Sequence, residues 1–193
     1  MQPRIAVFAK APVAGYAKTR LAAHLGVAGA AALQARLIRR SVATALAAGL
    51  GEVSLWCTPN RSHPVFAEHG VRLYDQAAGD LGERMLDAFG RFTPLLLIGT
   101  DCPALTADHL IACAAALRDH DAVFLPAEDG GYVLVGLARP IRELFRDIPW
   151  GTPRVMAETR ARAAGLRVAE PAVLWDLDDV TDYQRAEGQG LLI

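Results

Sequence analysis

The sequence predicts an α/β protein in three α/β/α layers, built on a mostly parallel but mixed sheet. Three observations carry this expectation. Short apolar runs rich in β-formers alternate with stretches of helical period along most of the 193 residues. The run Leu95 to Gly99 (LLLIG) is continuously apolar, as a central strand covered on both faces requires. Ala122 to Pro126 and Tyr132 to Leu137 flank a Gly-Gly turn, so at least one strand returns antiparallel.

Each element has a local cause. Arg4 to Ala9 (RIAVFA) is a short β-rich run ended by APVAG. From Thr19 to Gly49, Leu33, Leu37, Ile38, Val42 and Leu46 fall on one helical face, and Gly26 divides the stretch into two helices. Glu52 to Cys57 alternates like a strand, and Val71 to Tyr74 is another short candidate. Leu81, Met85, Leu86 and Phe89 make one side of a helix over 81–92. Thr106 suits the N-cap of a helix reaching about Arg118. Ile141 to Arg146 reads as a short helix, and Thr152-Pro153 as N-cap and first residue of one ending near Ala164. Leu166 to Ala169 and Val173 to Leu177 read as extended. Thr181 with Gln184 has the spacing of a capping box for a last short helix. With no repeat, low-complexity tract or linker, residues 1–193 read as one domain.

Composition excludes several classes. Charged residues are 21% and hydrophobic ones 52%, which is not the balance of a disordered chain. A formal net charge of −1 gives no basic footprint for nucleic acid or an anionic membrane. The first residues lack a long apolar segment of signal-peptide type, and uninterrupted apolar runs are too short for a bilayer span. Cys57, Cys102 and Cys113 are odd in number and lack CxxC spacing, so a reducing, cytoplasmic setting is expected rather than a disulfide framework or zinc site. Oligomeric state leaves no mark. Among the 20 Lys+Arg, only Lys10 and Lys18 are lysines, and both lie in one stretch. This fits either an arginine-favouring composition or a loop that needs a compact ammonium.

Ligands of open α/β sheets bind beyond the carboxyl ends of the strands, and four polar clusters fall there. After the first strand, Pro12 and Gly15 shape a loop that delivers Lys18, Thr19 and Arg20 to the start of a helix, an anion-binding arrangement. Ala17 stands where a Walker A loop needs glycine. Gly99-Thr100-Asp101-Cys102-Pro103 puts a carboxylate at a strand tip, suited either to Mg²⁺ or Mn²⁺ or to capping a turn. Asp129-Gly130-Gly131 fits a close backbone approach to a ligand or an ordinary hairpin turn. Asp176 and Asp178 share one face of an extended segment, where a metal or solvent would relieve their repulsion. Gln76 to Arg84 enters a helix and could line a pocket. Trp150 could form an aromatic wall or pack in the core. The five histidines are scattered, and no nucleophile–base pair stands out.

Taken together and in order, FAKAPVAGYAKTRL, QAAGDLGERM, GTDCP, EDGGYVLVGL, PWGT and DLDDVTDY resemble the DUF2064 family from about residue 4 to 185. The resemblance implies the GT-A, nucleotide-diphospho-sugar transferase-like fold. It also implies kinship with molybdenum cofactor guanylyltransferases and phospholactate guanylyltransferases. It implies phosphate contacts from Lys18 and Arg20, a metal-binding Asp101, and completion of the metal site by Asp176 or Asp178. It further implies that Asp129, Gly130 and Gly131 face the sugar or acceptor and that Arg84 makes a second-tier phosphate or base contact. Tyr16 departs from the family in standing where relatives often carry a basic residue. Gly151 replaces a hydroxyl residue, and no threonine-proline follows the second aspartate of DLDDVTDY. The expectation is a metal-dependent transferase with a nucleotide-activated donor and a small-molecule acceptor. Glycosyl transfer is placed first, nucleotidyl transfer second and a non-catalytic nucleotide-binding module third.

Overall fold

The computed structural model describes residues 2–192. Seven strands, β1 (Arg4–Lys10), β2 (Val53–Thr58), β3 (Arg72–Asp75), β4 (Leu95–Ile98), β5 (Ala122–Pro126), β6 (Tyr132–Leu137) and β7 (Val168–Ala169), form one sheet in the order β3-β2-β1-β4-β6-β5-β7. All neighbours are parallel except β6, which runs antiparallel to both β4 and β5. The helices are α1 (Ala22–Ala47), α2 (Pro64–Ala67), α3 (Leu81–Arg91), α4 (Ala107–Ala116), α5 (Val155–Arg162) and α6 (Val180–Gly188). Short 3₁₀ turns at Thr19–Leu21 and Arg142–Phe145 join them.

The two-residue strand period sorts side chains into the two cores. Ile5, Val7, Leu55, Leu96 and Ile98 face one layer, with Ile38 and Val42 of α1 and Leu110 and Cys113 of α4. Ala6, Phe8, Trp56, Leu95 and Leu97 face the other, against Met85, Ala88 and Phe89 of α3 and Leu144 and Phe145 of the second 3₁₀ turn. A third cluster joins Leu21, Leu33 and Leu37 to Trp175, Leu177 and Ala186, which ties the C-terminal segment to α1. Among the described residues, the stretch Thr19–Ala47 is the one helix long and apolar enough to cross a membrane. In this fold its apolar stripe covers the sheet and α6.

The Gly26 expectation holds: with φ 71° and ψ 162° its backbone is not helical, and it divides α1 into two helices that meet across a kink. Other boundaries differ from expectation for identifiable reasons. Thr152 does not cap α5. Its hydroxyl donates to the Pro149 carbonyl at 2.8 Å, and Arg154 occupies the N-cap. The capping box of α6 is Asp179 with Asp182, whose carboxylates complement the helix dipole better than the Thr181–Gln184 pair would. The segment 173–177 forms no named strand; among the described residues it meets the sheet through a parallel bridge from Leu174 to Ala127.

Candidate active site

The strand order reverses between β1 and β4, because the chain steps outward from β1 to β2 and β3 and returns to β4 on the other side. Connections diverge at such a point and leave a crevice beyond the strand ends. Here it is a cleft of about 580 Å³. It is lined by the β1 loop (Lys18, Thr19, Arg20), the β4 turn (Thr100, Asp101), the extended acids (Asp176, Asp178) and the approach to α3 (Gln76, Arg84).

These side chains are held by named contacts. The Lys18 ammonium donates to Asp101 Oδ1 at 2.7 Å and to the Leu177 carbonyl at 2.6 Å, and lies 3.6 Å from Asp178 Oδ1. Arg20 approaches the other Asp178 oxygen at 3.4 Å. Lys18 has φ 47° and ψ 45°, a left-handed conformation that non-glycine residues rarely adopt. It turns the chain into the 3₁₀ turn, where Leu21 anchors in the third cluster. The Leu177 amide donates to the Asp101 carbonyl at 2.7 Å, which fixes the two acidic segments side by side. Leu177 itself is buried, so Asp176 and Asp178 point together into the cleft.

Gln34 of α1 supports this arrangement, and no sequence signal singled it out. Its amide donates to Thr100 Oγ1 at 3.1 Å and to the Lys10 carbonyl at 3.4 Å, bracing the β4 turn against the end of β1. Lys10, Thr58 and Tyr16 also line the cleft, so both lysines of the protein border the same crevice. Gln76 donates to the Trp56 carbonyl at 2.9 Å, and Arg84 donates to the Gly79 carbonyl at 3.0 Å.

At Asp176 itself the acids outweigh the cations. Burial, followed by the negative charges of Asp101, Asp129 and Asp178, pushes the Asp176 carboxyl up to about 7 against the pull of Lys18. The carboxylate oxygens of Asp101, Asp176 and Asp178 are hard donors of the kind that suits Mg²⁺ or Mn²⁺. Among the described residues, no three carboxylate, imidazole or thiol side chains are gathered closely enough to hold an ion alone. That fits a cation that takes one or two protein carboxylates and completes its shell with phosphates and water. Burial pushes all three thiols up to about 12, so none is poised as a nucleophile.

The raised Asp176 predicts a pH effect. The unfolded chain releases this proton near the ordinary 3.8, whereas the folded protein keeps it until about 7. The folded state therefore binds the extra proton across that window, and this group's contribution to stability falls as pH rises through it. Denaturant melts in EDTA should show wild type losing on the order of 1–3 kcal/mol relative to Asp176→Asn between about pH 4 and pH 7. Parallel pH profiles for the two proteins would contradict the assignment.

Other predicted residues lie apart from the cleft lining. Pro12 and Gly15 sit in the β1 loop, Gly15 with φ 81°. Asp129 accepts from the Gly131 amide at 2.9 Å within its turn. Gly130 has φ 91°, and a Cβ there would collide with the Pro153 carbonyl oxygen. Its carbonyl accepts from the Met156 amide at 2.7 Å, so this glycine is required by the approach of α5. Trp150 packs against Gly82 and Tyr132 in the second core layer.

Residues 41–152, more than half of the chain, match the sequence model of a family described as an uncharacterized protein conserved in bacteria, DUF2064. The chain belongs to DUF2064. Lys18, Asp176 and Asp178 lie outside the matched span, and the fold brings them to Asp101 within it. The fold of this DUF2064 protein is shared by solved structures that include the following three. A candidate nucleotide-diphospho-sugar transferase from Desulfovibrio desulfuricans G20 superposes with a TM-score of 0.85 at 24% identity, covering 100% of this chain and 97% of the other. A nucleotidyl transferase from Methanothermobacter thermautotrophicus gives 0.66 at 18% identity, with 98% of each chain covered. Rv0371c from Mycobacterium tuberculosis H37Rv, solved as a complex with manganese, gives 0.56 at 19% identity over 96% and 97% of the two chains. The DUF2064 protein thus has a nucleotide-diphospho-sugar transferase-like α/β fold. No curated protein matches its sequence.

Proposed function

We propose that this DUF2064 protein is a divalent-metal-dependent transferase acting on a nucleotide-activated donor, with glycosyl transfer from a nucleotide-diphospho-sugar to a small-molecule acceptor as its reaction. The observation that carries the proposal is the convergence of Lys18 and Arg20 with Asp101 and Asp178 at the switch-point cleft. Loss of a nucleoside diphosphate adds negative charge to phosphate oxygens. Fixed cations aimed at those oxygens lower the barrier because they need no rearrangement as the charge develops. Lys18 and Arg20 supply that charge, and Asp101 with Asp176 or Asp178 would hold Mg²⁺ or Mn²⁺. The ion, when bound, neutralises phosphate charge as a Lewis acid. The manganese complex of Rv0371c supports the choice of ion. Pro12, Gly15 and Thr19 shape the phosphate loop, and Gln76 and Arg84 line the part of the cleft toward the base or second phosphate. Asp129, Gly130, Gly131 and Trp150 are proposed to border the sugar or acceptor. The single sheet supports reading residues 1–193 as one transferase domain, and three buried free cysteines suit a reducing, cytoplasmic setting.

Nucleotidyl transfer is the second reading, favoured by the fold shared with the Methanothermobacter nucleotidyl transferase. The same cations would then stabilise departing pyrophosphate. The test is calorimetric and thermal-shift titration with uridine, guanosine and cytidine di- and triphosphates, with and without Mn²⁺. The expected result is metal-dependent binding. Ligand at about a hundred times its dissociation constant adds about 2.7 kcal/mol, or about 5–10 °C for a chain of this size. Release of nucleoside diphosphate from a sugar donor identifies glycosyl transfer, and release of pyrophosphate from a triphosphate identifies nucleotidyl transfer. Metal-independent binding without turnover would make the protein a binding module instead.

A further inference from the structure

The Lys18 ammonium has the surroundings of a bound hard cation. Two carboxylates and one backbone carbonyl face it, at 2.7 Å (Asp101), 3.6 Å (Asp178) and 2.6 Å (Leu177). Only 6% of its side chain is exposed, whereas the side chains of Asp101 and Asp178 are 49% and 43% exposed. The left-handed backbone at Lys18 directs the side chain inward, and the buried Leu21 three residues on secures the loop. A divalent ion on Asp101 and Asp178 would lie within a few ångströms of this ammonium, and like charges at that separation repel strongly inside a protein.

We propose that Lys18 is a resident monovalent cation of the site: in the free protein it holds the Asp101–Asp178 pair and blocks the divalent ion. Donor phosphates then draw its ammonium away and open the pair to the metal. The proposal rests on the transferase reading above and assigns its order of assembly. The long flexible lysine stem permits this transfer between carboxylates and phosphate without movement of the loop backbone. An arginine in its place would bring a wider, planar head that a single oxygen cage does not match. The consequence is coupling: phosphate raises metal affinity and metal raises phosphate affinity by the same factor, through one side chain.

Two measurements test this, neither requiring turnover. In the first, Mn²⁺ binding is followed by electron paramagnetic resonance for wild type, Lys18→Met and Lys18→Gln, with Mn²⁺ alone and with added pyrophosphate. Without pyrophosphate, both variants should bind Mn²⁺ about tenfold or more tightly than wild type, because the competing charge is gone. The factor by which pyrophosphate enhances Mn²⁺ binding should shrink in the variants. In the second, wild-type protein is reductively methylated and the two lysines are compared by mass spectrometry, with the exposed Lys10 as the internal reference. Saturating Mn²⁺ alone should raise modification of Lys18 relative to Lys10, because the displaced ammonium becomes accessible. This arm does not depend on any variant folding. Mn²⁺ binding of equal or lower affinity in the variants, or an unchanged Lys18 to Lys10 ratio, overturns the displacement while leaving the transferase reading intact. Absence of Mn²⁺ binding in every protein, with and without pyrophosphate, overturns both.

Discussion

Asp101→Asn is expected to reduce turnover about 10²- to 10³-fold while leaving the protein folded, and Lys18→Ala to do the same. The reasoning differs for the two. Asp101 sits at the tip of β4 with its side chain half exposed, so asparagine there leaves no buried group stranded. Lys18 keeps the Leu177 carbonyl and Asp178 in that variant. What asparagine cannot do is carry the charge that holds a hard cation. In Lys18→Ala the lost group is the cation that meets the phosphates, and the two acids are left with Arg20. The matching control is Arg39→Ala on α1, which breaks a two-bonded but exposed pair with Glu68. Such surface pairs are worth about 0.2–1 kcal/mol, and this one lies outside the cleft, so turnover should stay at the wild-type value. Steady-state rates, alongside melting curves for all three variants, check the set. A wild-type rate for Asp101→Asn would remove the carboxylate from the reaction.

The parts of this arrangement that were legible in the sequence are those fixed by short-range periodicity. LLLIG reads as a strand covered on both sides, and β4 is one, with Asp101 in the turn that follows it. The alternation of Asp176, Leu177 and Asp178 placed both acids on one face, and the structure buries Leu177 and leaves the acids in the cleft. What was not legible depends on strand order. Lys18 and Asp101 meet because β4 lies beside β1, and nothing local in either segment encodes that neighbour. Gln34 carries no local signal for a similar reason: it sits on the mostly apolar buried face of α1, and its partners come from the end of β1 and the turn after β4. Overlapping cap signals leave the start of α6 ambiguous in the sequence. Asp179 with Asp182 and Thr181 with Gln184 have the same spacing, and only the backbone path decides between them. Gly130 is instructive in another way. Its turn fitted either a ligand or a hairpin, and the structure adds the Pro153 carbonyl as a third cause.

Trp56→Ala is expected to destabilise the fold by about 3–5 kcal/mol, which lowers the melting temperature by about 10 °C. Trp56 is fully buried on β2 and is the largest such side chain. Its ring stacks on Tyr74 at 4.7 Å and on Phe8 at 5.8 Å, meets Phe92 edge-on at 6.3 Å and lies under the Arg91 guanidinium at 5.3 Å. Truncation therefore removes apolar burial, aromatic pairing and a cation–π contact together. It also removes a buried hydrogen bond, leaving Ser54 with its donation to the Ile5 carbonyl at 3.4 Å. The indole N–H donates to Ser54 Oγ at 3.0 Å, and Ser54 is itself buried. The loss should reach the cleft, because the Trp56 carbonyl accepts from Gln76 and Phe8 lines the cleft wall. Trp56→Phe keeps a ring but not the N–H donor, so it separates the two contributions and should cost about 1–3 kcal/mol. Denaturant unfolding of both variants gives the stability differences. Nucleotide titration at a temperature where both remain folded reports the effect on the cleft, and weaker binding by Trp56→Ala than by Trp56→Phe is the expected order. Equal stability of Trp56→Ala and wild type would mean that β2 does not organise the second core layer as its contacts indicate.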